Sequence, residues 1–113
     1  GPDPPADWLV DNGYTEGYAT FWNGNAMTEL TNGKLDVWTL QSLDEDYVPN
    51  WLQRKDHLTT DPQHPFLLID TETDGPAESA GLVQNGECTE VYNDGRFVIY
   101  DFAGADAVHA AVK

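Results

Sequence analysis

The run Pro65-Phe66-Leu67-Leu68-Ile69-Asp70 narrows what this chain can become more than any other stretch. Its consecutive apolar residues offer no wet face, so a strand built from them needs cover on both sides. A second run, "FVIYDF" (97–102), follows "CTEVY" (88–92) across "NDGR", where Asp94-Gly95 is a strong signal for a tight hairpin turn. A doubly covered strand together with a closing hairpin calls for helices on both faces of a sheet.

The remaining segments supply those parts. "ADWLVDNGY" reads as a short helix with Trp8, Leu9 and Tyr14 on one side; prolines precede it and Asn12-Gly13 ends it. "GYATFW" (17–22) reads as a strand, and "NAMTELTNG" (25–33) as a two-turn helix capped by Asn25 and stopped at Asn32-Gly33. "KLDVWTL" alternates Leu35, Val37 and Thr39 against Lys34, Asp36 and Trp38, the period of a strand. After the acidic loop "QSLDEDYVPN", the segment "WLQRKDHL" (51–58) suits an amphipathic helix. "TETDG" reads as a turn, "PAESAGLV" as a helix opened by Pro76, and "ADAVHAAVK" as a last helix. The expected fold is therefore α/β: a small mixed sheet of about five strands, flanking short helices and a C-terminal β-hairpin. Residues 1–5 read as a linker or an edge left by cloning, and residues 6–113 as a single soluble domain.

Charge excludes more functions than any motif. There are 20 acidic residues against 5 basic ones, a formal net charge of -15. Such a surface repels nucleic-acid phosphates and anionic lipid headgroups, and Lys34, Arg54, Lys55, Arg96 and Lys113 are too scattered to form a basic patch. Neither nucleic acid nor direct contact with an anionic membrane is expected. No apolar run approaches the roughly 20 residues that cross a bilayer. The single cysteine, Cys88, reads as a half-buried small hydrophobe.

The glycine turn Asn23-Gly24-Asn25, directly after Trp22, lies where a strand hands over to a helix, the default position for a small ligand at a sheet's carboxyl edge. It lacks both the dinucleotide and the P-loop fingerprints, so connector is the first reading and site the second. Trp38 runs out of phase with Leu35 and Val37; it either packs under a helix on the second face or stands exposed, where its ring could stack on a sugar. Asp70, Glu72 and Asp74 resemble the first half of a calcium loop, but the twelfth position is Gly81 instead of a glutamate, which leaves only weak cation binding. His57, His64 and His109 show no metal spacing, and Ser42 and Ser79 sit in no nucleophile motif. No cofactor and no catalytic residue is expected.

One resemblance covers nearly the whole chain from Ala6 onward. "GYATFWNGNAMTELTNGKLDVWTL", followed by "NWLQRKDHL", "PFLLID" and "VYNDGRFVIYDF", resembles the carboxyl-terminal soluble region of bacterial polytopic membrane glycosyltransferases related to glycosyltransferase family 39, the dolichyl-phosphate mannosyltransferase type. In that family, the resemblance implies, a membrane portion binds a polyprenyl-phosphate sugar, and the catalytic acid lies in an extracytoplasmic loop between early membrane helices. No catalytic residue is therefore carried over to this chain. The implied role is a non-catalytic accessory domain on the extracytoplasmic face of the bacterial membrane. Its partners would be the membrane-embedded portion of the same polypeptide and a glycan acceptor, the latter met through aromatic residues and Asn23–Asn25. The alternative is a free-standing small acidic ligand-binding protein or enzyme, which a pocket of converging carboxylates would favour.

Overall fold

A computed structural model describes residues 3–40, 43, 63–104 and 107, without the side chains of residues 21–25. The segment expected as the helix 51–58 lies outside the described residues, as do the acidic loop before it, Leu43 excepted, and all of the last helix but Ala107.

Helix α1 spans Pro4–Asp11. The carboxylate of Asp3 caps it by accepting from the Ala6 amide at 3.2 Å, and Pro4 and Pro5 occupy a first turn whose amides need no intrahelical partner. The boundary expected at Ala6 thus falls inside the helix. Gly13, at φ 82°, turns the chain out through the left-handed region, as Asn12-Gly13 predicts.

Strand β1 (Glu16–Thr20) leads directly into α2 (Phe21–Leu30), and β2 (Asp36–Leu40) follows. Here the expectation is corrected. Phe21 and Trp22 do not extend the strand, and Asn23-Gly24-Asn25 is the early part of a helix rather than a turn. The pairing of β1 with β2 runs from Glu16↔Asp36 to Thr20↔Leu40, and the helix begins at the next residue. Thr20, not Asn25, holds the cap position. The helix end is as expected, with Asn32 at φ 55° and Gly33 at φ 82°.

Strand β3 (Phe66–Asp70) is buried along its whole length. The one-turn helix α3 (Thr71–Asp74) stands where a plain turn was expected. "PAESAGLV" then divides into a 3₁₀ turn, Ala77–Ser79, and α4 (Gly81–Asn85), because Ala80 is extended between them (φ -64°, ψ 130°). Strands β4 (Cys88–Asn93) and β5 (Phe97–Phe102) form the expected hairpin, with Gly95 at φ 95°. A register shift between Glu90 and Tyr92 bulges β4, which blunts an edge strand against further pairing.

The five strands form one mixed sheet in the order β2-β1-β3-β5-β4; β1 is parallel to β2 and β3, and β5 is antiparallel to β3 and β4. Side chains alternate onto two covered faces. Ala19, Val37, Phe66 and Leu68 meet α1 and α2 through Ala6, Leu9 and Met27. Tyr18, Trp38, Leu67 and Ile69 meet the 3₁₀ turn and α4 through Ala77 and Leu82. The doubly covered FLLID strand sits at the centre, between β1 and β5.

Candidate functional site

The order β2-β1-β3 places a switch point between the carboxyl ends of β1 and β3, where open α/β sheets hold their ligands. Four pieces of chain meet there: the end of β1 at Thr20, the start of α2, the end of β3 at Asp70, and the β4–β5 hairpin carrying Arg96. The backbone of residues 22–25 does lie at this edge, in the first turns of α2; the side chains of Trp22, Asn23 and Asn25 lie outside the described residues.

Asp70 anchors the edge and is 2% exposed. A buried carboxylate needs a cation and hydrogen bonds, and this one has both. Arg96 grips it in the two-pronged manner of a guanidinium, Nε donating to Oδ1 at 3.0 Å and Nη2 to Oδ2 at 2.8 Å. Asp70 Oδ1 also accepts from the Glu72 amide at 3.0 Å. The Arg96 guanidinium beside it, aided by backbone amides, holds the Asp70 carboxyl below the usual range. Glu72 joins the same cation, its Oε2 lying 2.6 Å from Arg96 Nε. Asp74 turns back instead, accepting from the Asp70 amide at 3.0 Å and from the Thr20 side chain. Burial pushes its carboxyl up.

The three carboxylates with calcium-loop spacing thus have separate engagements: Asp70 and Glu72 converge on Arg96, and Asp74 bridges β1 to β3. Among the described residues, no group of three His, Cys, Asp or Glu side chains is placed to hold a metal ion. Chemically, the edge is a clasp. Thr71 tightens it by donating to the Arg96 carbonyl from its amide (3.0 Å) and its hydroxyl (2.7 Å). At the hairpin tip, Asp94 Oδ1 accepts from the amides of Arg96 (3.0 Å) and Phe97 (2.7 Å). Sequence reading passed over Arg96. The available signal was a carboxylate ending a fully apolar strand, which demands a cation from somewhere in the chain.

Trp38 is 4% exposed and belongs to the core beside Tyr18 and Leu67. Of its two expected placements, the one beneath the sheet's second face is correct, and the exposed one is overturned. Its ring has no face free for a sugar.

A second polar group, which the sequence did not single out, lies at the opposite edge. The Tyr14 hydroxyl and His64 Nε2 both engage Asp101 Oδ2, the imidazole at 2.9 Å. Burial and the bond to Asp101 push Tyr14 up to about 12. Beside these residues opens a recess of about 340 Å³ lined by Asn12, Tyr14, Glu16, Gln63 and His64, among others. Aromatic rings continue away from it: Trp8 stacks on Tyr14 at 5.8 Å between centroids, and Tyr92 follows Trp8 at 5.7 Å. The parts lie far apart in sequence (Tyr14 and Asp101 are 87 residues apart), so only the pairing of β3 with β5 brings them together. A wider groove of about 510 Å³ runs between α1 and the end of α2, with Asp3, Asp7, Asp11 and Lys34 on its walls beside Leu30, which is 62% exposed.

Comparison of the chain with protein-family models, with curated proteins and with solved structures gave no match.

Proposed function

We propose that the chain serves as a non-catalytic accessory domain on the extracytoplasmic face of a bacterial membrane glycosyltransferase, attached to a membrane-embedded portion of the same polypeptide and contacting a glycan acceptor. The resemblance in "GYATFWNGNAMTELTNGK" and "VYNDGRFVIYDF" supports the family part of this reading. The observation that carries the non-catalytic part is the state of the switch point. There Asp70 is gripped by Arg96, Glu72 shares that cation, and Asp74 is bonded to Asp70 and Thr20. Groups so engaged hold strands together; a general acid or base must instead face a reacting atom. The net charge of -15 keeps such a domain off anionic headgroups while the membrane portion anchors it.

The test uses the polypeptide encoded at the gene's own locus. We expect a multi-span hydrophobic region upstream of Pro2, protease access to residues 6–113 from the outer face only, and sugar transfer from a polyprenyl-phosphate donor by the full polypeptide. The isolated chain should turn over no such donor. A locus encoding no membrane region, or turnover by the isolated chain, would sink the proposal. The second result would favour the alternative, a small free-standing enzyme or ligand-binding protein. The specific observation behind that alternative is the Tyr14–Asp101–His64 group beside its recess.

A further inference from the structure

We propose that the recess at the amino edge of the sheet, framed by Asn12, Tyr14, Glu16, Gln63 and His64, is a binding site for a single neutral saccharide ring. Its volume, about 340 Å³, is at the small end of ligand sites, which begin near ~300 Å³. The lining decides what fits. Asn12, Glu16, Gln63 and His64 bring planar polar groups able to accept and donate, as a ring of hydroxyls requires. Tyr14 adds an aromatic body for the C–H face of a sugar, its polar end tied down by Asp101 and its ring stacked against Trp8.

The walls are positioned in advance, which lowers the cost of ordering them on binding. Asn12 Nδ2 donates to the Trp8 carbonyl at 2.8 Å, leaving the side-chain oxygen as an acceptor. The Gln63 amide donates to Glu16 Oε1 at 3.2 Å. Asp101 holds both Tyr14 and His64; with the imidazole proton on Nε2, the Nδ1 atom is an acceptor.

Other ligand classes fit less well. Among the described residues no Lys or Arg lines the recess, and the chain carries -15, which disfavours phosphates and carboxylates. An apolar ligand would strand the polar walls without partners. An ammonium group would seek a carboxylate, but Asp101 is not among the described lining residues and its Oδ2 already serves Tyr14 and His64, and Glu16 has spent part of its capacity on Gln63. This assignment shares with the proposed function only the expectation of a glycan ligand. The experiment reads binding alone, so its failure leaves the membrane-linked role standing.

Backbone amide NMR of the intact chain, titrated in turn with methyl glycosides of neutral hexoses, an amino sugar and methylammonium, tests the site. Saturable shifts centred on Gly13, Thr15, Glu16 and Gln63 are expected with at least one neutral glycoside. His64→Ala and Glu16→Ala should each weaken that binding about tenfold, the loss of one good hydrogen bond. Glu78→Ala, at an exposed position of the 3₁₀ turn, should leave it unchanged. Should His64→Ala lose its dispersed spectrum, His64→Gln takes its place. The inference is overturned by a flat response to every neutral glycoside, by shifts that survive both recess variants, or by shifts seen only with the ammonium-bearing compounds.

Discussion

Gly17 is where a single methyl group should do most damage. It lies in β1 directly opposite Phe66 of β3, and the Phe66 ring lies across it. A Cβ built at Gly17 would stand 2.3 Å from Phe66 Cδ2 and 2.4 Å from Cγ. Restoring an ordinary carbon contact of ~3.5 Å means a retreat of about 1.2 Å. The ring has nowhere easy to go: Phe66 is fully buried, and Tyr14 meets it edge-on at 6.1 Å. Overpacking of this kind costs about 1–3 kcal/mol, and the upper half of that range applies where the obstacle is a buried aromatic ring. Reduced freedom of the unfolded chain returns about 0.5–1 kcal/mol. The net expectation for Gly17→Ala is a loss of about 2 kcal/mol, or a Tm lower by about 6–10 °C for a chain of this size. Urea unfolding of the wild type, Gly17→Ala, Phe66→Leu and the double variant measures it. The smaller Leu side chain makes room for the methyl, so the double variant should be more stable than the sum of the singles predicts by about 1 kcal/mol. Additivity to within about 0.5 kcal/mol would refute the claim that these two side chains compete for one space.

Two further expectations concern charge. Arg96→Met removes the cation that holds the Asp70 carboxyl down. A depressed carboxyl stabilises the fold above the unfolded value near ~3.9 and loses that contribution as pH falls through its folded value. Wild type and variant should therefore differ most at neutral pH and converge in acid; a gap that stays constant in urea midpoints across the series would contradict the clasp. At the alkaline end, Tyr14 and Tyr92 are each raised to about 12, so their contribution is whole below the ordinary value near ~10 and is lost as pH climbs through the folded one. Tyrosinate absorbance should show late-titrating tyrosines, Tyr14, Tyr92 and Tyr100 among them, and Tyr14→Phe should remove one of them at a cost of about 1 kcal/mol near neutrality.

How far the molecule was legible depended on the range of the interaction involved. The hairpin around Asp94-Gly95 and the stops at Asn12-Gly13 and Asn32-Gly33 were readable because a left-handed residue is a local demand. FLLID was readable as a central strand because its two apolar faces admit no other solution. The end of β1 was not. Phe21 and Trp22 favour a strand by their own preference, but the chain enters α2 at Phe21, and such preferences yield to tertiary context. The carboxylates at Asp70, Glu72 and Asp74 were visible as a cluster, yet their spacing suggested a cation from solution where the chain supplies Arg96 from 26 residues away.

By itself, then, the sequence determined the α/β class, the doubly covered sheet, the closing hairpin and a strongly negative chain. Each of these follows from local preference, hydrophobic period or summed charge. Tertiary structure alone decided that Trp38 belongs to the core, that Arg96 closes the switch point, and that Tyr14, His64 and Asp101 meet beside a recess. Such meetings depend on which strands lie side by side and in what register, and register is settled by burying two whole faces at once.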